Sequence, residues 1–181
     1  REGNRRFVAS INGGESLAAS AKRLELAKDH TPFAIILGCS DARVPAELVF
    51  DHGLGDLFVI RVAGNIVAPS QVGSVEFAAS RFGTRLVVVL GPSECGAIKA
   101  TIQELQQPAE NQSPNLRSIV DRVRPSVQAL LKTELRNDPV ALGRESVRAN
   151  VSFSVDHLRH GSQLLEELIR KDGLLVVGAE Y

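Results

Sequence analysis

Residues 57–62, Leu57-Phe58-Val59-Ile60-Arg61-Val62, lead through the segment Ser70 to Phe82 into Leu86-Val87-Val88-Val89-Leu90, and this passage decides the fold. The first and last pieces are nearly unbroken runs of Val, Leu and Ile, the pattern of strands covered on both faces in a parallel sheet. Between them, Val72, Val75, Phe77, Ala78, Ala79 and Phe82 recur at helical spacing. Ser70 stands in N-cap position and Gly83 supplies the stop, so the passage predicts a strand–helix–strand unit.

The same signals extend outward. Phe33 to Leu37 and Leu174 to Val177 read as two further buried strands. A helix is predicted from near Cys95 through Ala97, Ile98, Ile102 and Leu105, ending in the polar, proline-containing stretch Gln106 to Pro114. Leu116 to Leu135 is helical in pattern but contains Pro125, which removes a backbone donor, so two helical pieces are expected. Val147, Val151, Val155 and Leu158 continue helically into Leu164, Leu165, Leu168 and Ile169, until Asp172-Gly173 ends the pattern. In the first thirty residues Leu17, Ala21, Leu24 and Ala27 form an apolar stripe that a neighbouring subunit would have to cover. No repeat or linker interrupts the chain. The expected architecture is a single α/β domain over 1–181, with a helical arm at 1–30 and, at 31–181, a core built on a short, mainly parallel sheet flanked by helices.

Twenty-one basic and 21 acidic side chains cancel, so no overall field recommends a nucleic acid or an anionic membrane as partner. No apolar run approaches bilayer length, and Arg1-Glu2-Gly3-Asn4-Arg5-Arg6 lacks the apolar centre of a secretion signal; the expected compartment is the cytoplasm. Two cysteines far apart in such a chain are candidates for thiolate ligands or buried thiols rather than a disulfide framework.

Ligands of open parallel sheets bind beyond the carboxyl ends of the strands, and the unusual polar residues cluster there. Cys39, Ser40, Asp41 and Arg43 follow the first strand; Arg61, Gly64 and Asn65 accompany the second; Gly91-Pro92-Ser93-Glu94-Cys95-Gly96 follows the third. Sulfur suits zinc, and a catalytic zinc takes about three protein ligands with one position open to water, so two cysteines alone underfill it. Asp41 has two readings: it completes the metal shell, or it pairs with Arg43. Gly64 and Asn65 read equally as a turn and as a substrate contact. His157 and His160 share a helix face, but solvated histidines are the commoner case.

Cys39-Ser40-Asp41-Ala42-Arg43-Val44-Pro45, Arg61-Val62-Ala63-Gly64-Asn65 and Gly91 to Ala97 resemble, in order and interval, three signature segments of the β-class carbonic anhydrases. The resemblance also takes in Glu2-Gly3-Asn4-Arg5-Arg6-Phe7 and the Leu174 to Tyr181 segment. It implies Cys39 and Cys95 as zinc thiolates, Asp41 and Arg43 as the catalytic dyad beside the metal, and Gly64, Asn65 and Gly96 as substrate-binding positions. It further implies reversible hydration of carbon dioxide to bicarbonate, and a homodimer or homotetramer whose helical arm wraps a neighbour.

One position departs from the family pattern. Pro92 stands where the resemblance places a histidine ligand, and proline has neither a side-chain donor atom nor a backbone N–H. Cys39, Cys95 and Asp41 remain as candidate ligands. Replacing a neutral imidazole by a carboxylate makes the metal unit more negative and its bound water less acidic, so weakened zinc binding and impaired hydration are expected. The chain also has no tryptophan, and Ile36 lies three residues before Cys39 where members with a regulatory bicarbonate pocket carry one, although Arg61 can still hold an anion. The alternative reading is a non-catalytic relative that binds an anion through Arg43 and Arg61.

Overall fold

A computed structural model describes residues 29–108 and 113–181, together with 2, 5 and 25–27. Four parallel strands, β1 (Ala34–Cys39), β2 (Leu57–Val62), β3 (Leu86–Gly91) and β4 (Leu175–Glu180), form one sheet in the order β2-β1-β3-β4. The helices are α1 (Ala46–Val49), α2 (Pro69–Arg81), α3 (Gly96–Gln106), α4 (Pro114–Leu130), α5 (Pro139–His160) and α6 (Gln163–Asp172).

Strand alternation divides the core into two layers. Ile36, Val88 and Leu90 face Ile98 of α3, Val123 and Val127 of α4 and Val147 of α5. Ile35, Leu37, Val87 and Val89 face Val75, Ala78 and Ala79 of α2, Val151, Val155 and Leu158 of α5, and Leu165 of α6. Every residue of β1 is buried, which is why its sequence shows no polar alternation. Helix α5 packs into both layers, so it fixes where the strand ends lie.

The α/β reading with a parallel sheet holds, and four local expectations change. Ser70 is not the cap of α2: Ala68 takes that place and Pro69 opens the helix. Proline's fixed φ suits the first helical position, where no N–H is needed. Pro125 does not divide α4, which runs unbroken from Pro114 to Leu130. The lost hydrogen bond, worth roughly 3 kcal/mol in a free helix, is outweighed by burying Val120, Val123, Ser126 and Val127 along one face. The break falls instead at Gly161-Ser162, where the Ser162 hydroxyl accepts from Leu165 N at 3.2 Å and starts α6. Finally, β1 continues to Cys39 and β4 to Glu180, because the ladder pairs Cys39 with Val62 and Gly91 with Glu180.

The helical arm expected over 1–30 lies outside the described residues, save for residues 2, 5, 25–27, 29 and 30. Among the described residues, no helix is long and apolar enough to cross a membrane.

Candidate metal centre

Because β1 and β3 are neighbours, their chains leave the sheet side by side. Cys39 is the last residue of β1, and Cys95 is the extended residue that caps α3. Their Sγ atoms stand 3.9 Å apart although 56 positions separate them in sequence. Both are buried, at 5% and 2% exposure. The Cys95 thiol, donating to Cys39, brings the Cys39 thiol down to about 6, and the backbone N–H groups of Asp41 and Gly64 assist. The same hydrogen bond, together with burial, pushes Cys95 up. The pair therefore releases one proton readily and holds the second.

The loop after β1 is closed by two arginines. Arg43 donates from Nε to Asp41 Oδ1 at 3.0 Å and from Nη2 to Oδ2 at 2.9 Å, and its backbone N reaches Oδ1 at 3.0 Å. These bonds from Arg43 hold the Asp41 carboxyl at about 2, well below the usual carboxylate range. Arg43 Nη2 also donates to the Glu94 carbonyl at 2.5 Å, joining the loop that carries Cys39 to the one that carries Cys95. Arg61 donates to the Cys39 carbonyl at 3.1 Å and the Asp41 carbonyl at 2.5 Å, so its contacts are to backbone oxygens of the same loop.

Pro92 is buried at the turn out of β3. Tyr181 N donates to the Gly91 carbonyl at 3.0 Å, and Ser93 N donates to the Tyr181 carbonyl at 2.8 Å. The two residues flanking Pro92 make the ladder's contacts here, so the missing N–H costs this pairing nothing. Gly96 is exposed as the first residue of α3, and a Cβ there would meet no neighbour.

Gly64 and Asn65 form a turn with positive φ, at 70° and 41°. A Cβ at Gly64 would lie 3.0 Å from the Ala97 Cβ, so glycine is needed for contact as well as conformation. The turn is gripped from behind by α5: Asn150 Nδ2 donates to the Gly64 carbonyl at 2.8 Å and Ser154 Oγ to the Asn65 carbonyl at 3.1 Å. Asn65 is 1% exposed. Sequence reading missed Asn150 and Ser154, although polar residues four apart beside Val147, Val151 and Val155 are a signal of buried hydrogen bonding. His157 lines a groove of about 640 Å³ with Glu76 and Arg122, a space that neither cysteine borders.

Comparison with known proteins places this arrangement. Residues 34–181 match the family described as Carbonic anhydrase. Carbonic anhydrase 2 of Mycobacterium tuberculosis is 37% identical over 183 residues, covering 100% of this chain and 84% of that one. This chain belongs to the β-class carbonic anhydrase family. A carbonic anhydrase of Mycolicibacterium smegmatis is 43% identical over 130 residues, 70% of this chain and 61% of that one. In fold, a tetrameric β-carbonic anhydrase from Sordaria macrospora superposes with a TM-score of 0.82 at 21% identity, over 100% of this chain and 92% of the other.

The metal this family implies is zinc, and the residues meet that requirement in part. Two sulfurs each about 2.3 Å from a tetrahedral zinc stand about 3.8 Å apart, which matches the 3.9 Å between Cys39 and Cys95. Among the described residues, the rest of a donor set is not brought together. Pro92 supplies no donor atom, and Asp41 already accepts three hydrogen bonds from Arg43. Among the described residues, no group of three His, Cys, Asp or Glu side chains is placed to hold a metal.

Proposed function

We propose that this chain is a carbonic anhydrase-like zinc lyase, acting on carbon dioxide and bicarbonate, whose metal affinity and hydration activity are impaired by Pro92. The observation that carries this reading is the converged sulfur pair with no third donor at the position where the family resemblance places histidine. In that family the ion makes hydroxide available near neutral pH.

The chain's own residues define what is retained. Cys39 and Cys95 would hold the ion, while Asp41, kept ionised by Arg43, presents an acceptor at the rim of the site. Of the two roles left open for Asp41, the dyad role is the better supported. Recruiting the carboxylate as a ligand would break its paired bonds to Arg43 and loosen the Arg43 link to Glu94. Ligand repair would thus dismantle the groups beside the metal. Gly64, Asn65 and Gly96 stay as candidate substrate contacts through their backbone, since the Asn65 side chain is buried.

The tetrameric relative from Sordaria macrospora supports an oligomer, read here as a homodimer or homotetramer; the 1–30 arm as part of one 1–181 domain and the cytoplasm as compartment rest on the sequence reading alone. Non-catalytic anion binding through Arg43 and Arg61 is less well supported, because both guanidinium groups already donate to the Asp41 carboxylate or to the Cys39, Asp41 and Glu94 carbonyls.

The test is Pro92→His, with bound zinc measured by metal analysis and hydration by stopped flow. The expected result is sub-stoichiometric zinc and slow turnover in the parent, with a rise of at least about tenfold in both in the variant. A parent that already carries one zinc per chain and turns over rapidly would refute the reading.

A further inference from the structure

We propose that Cys39 and Cys95 form an oxidisable dithiol, which a peroxide closes to an intramolecular 39–95 disulfide when no metal holds the sulfurs. The inference deepens the functional reading and rests on it in one respect: the missing third donor leaves the thiols uncommitted.

Geometry carries the proposal. The sulfurs lie 3.9 Å apart, against about 2.05 Å in a disulfide, so closure requires an approach of roughly 2 Å. On the β3 side the ladder's restraint ends just before Cys39, which stays paired with Val62 of β2. The β1–β3 pairing ends at Gly38 and Leu90, leaving Cys39 one residue past the last pair between the two strands. Cys95 has extended backbone angles, φ −94° and ψ 120°, between the Pro92 turn and the start of α3. Cys95 also borders a cavity of about 440 Å³ with Ser93, Lys99, Val140 and Arg144, so a small oxidant can approach the buried pair from the Cys95 side. These are the only two cysteines in the sequence, so no other thiol of the chain competes for either sulfur.

The chemistry balances with peroxide as the oxidant. One thiolate attacks a peroxide oxygen, the O–O bond breaks, hydroxide leaves, and that sulfur becomes a sulfenic acid. The partner sulfur then attacks the sulfenic sulfur and an S–S bond forms; its thiol proton and the departing hydroxyl leave as water. Two thiols are oxidised and one peroxide is reduced to two waters. The product cannot bind zinc, because both sulfur donors are consumed.

The experiment uses the whole chain, stripped with a chelator, reduced, and exposed to one equivalent of hydrogen peroxide. The expected product is a chain with no covalent link to another, lighter by two hydrogens, with one cross-linked peptide joining Cys39 to Cys95. Its zinc uptake should fall by at least about tenfold and return on treatment with a dithiol reductant. Cys95→Ser should stop at a sulfenic acid on Cys39 that a dimedone probe traps. If the stripped chain yields only sulfinic acid, only links between chains, or no reaction, the proposal is overturned. If the chain as purified holds zinc tightly while the stripped chain still closes, the functional reading fails and the dithiol proposal stands.

Discussion

Substituting Gly91 by alanine tests whether α5 sets the position of the strand ends that carry the site. A Cβ built at Gly91 lies 2.6 Å from Val151 Cγ2, about 1 Å inside the separation at which carbon atoms attract. Turning Val151 about χ1 gives no easy relief. Its other methyl, Cγ1, sits 2.6 Å from where a Cβ would stand on Gly178, and valine is confined to one preferred rotamer in a helix. The two glycines of β3 and β4 thus form a seat for one valine. Overpacking of this kind costs about 1–3 kcal/mol, and that is the expected loss for Gly91→Ala in urea unfolding. Val151→Ala should lose about 2 kcal/mol, from two methyl groups at about 0.8 kcal/mol each and a small cavity. In Gly91→Ala/Val151→Ala the new methyl enters the vacated space, so the double variant should lie within about 1 kcal/mol of Val151→Ala alone. Additivity of the two losses to within about 0.5 kcal/mol would refute the argument, because it would mean that the two side chains do not meet.

Asn150→Ala removes the donor that holds the Gly64 carbonyl at 2.8 Å inside the protein. An unsatisfied buried carbonyl costs about 1–3 kcal/mol, and zinc uptake should weaken as well because the Gly64 turn supplies an N–H to Cys39; unchanged stability and unchanged uptake would remove α5 from the support of the site. Asp41 gives the pH dependence. Its carboxyl is lowered to about 2 from 3.8 when unpaired, so the stability it contributes is complete above about pH 4 and is lost as pH falls towards 2. The difference in urea midpoint between the parent and Asp41→Asn should therefore be constant from neutral pH to about 4 and close by about 2, and a difference that instead closes near neutral pH would deny the pairing.

What could be read in advance follows from which interactions are local. Buried strands have no polar face, so Leu57 to Val62 and Leu86 to Leu90 declared themselves as apolar runs. The meeting of Cys39 and Cys95 at one edge followed from their places after two such strands. Pro125 was misleading because its effect on a free helix is local, whereas the packing of Val120, Val123 and Val127 that keeps α4 whole is not. The role of Asp41 was open for a similar reason: a spacing of two from Arg43 permits pairing, but Arg43's reach to the Glu94 carbonyl appears only in three dimensions. Asn150 and Ser154 lie more than 80 positions from the turn they hold.

Residue 92 separates what supports the fold from what the chemistry needs. The two core layers are built from β-strand and helix side chains that do not include Pro92. The pairing of β3 with the end of β4 passes through Gly91 and Ser93 on either side of it. A proline can therefore stand there while the sheet, the helices and the sulfur pair keep their places. It follows that a TM-score of 0.82 to a tetrameric β-carbonic anhydrase reports on the backbone and not on the third donor. Pro92→His adds a nitrogen and an N–H without asking the sheet to change partners, so a gain in zinc content at an unchanged urea midpoint would report on ligation and not on folding.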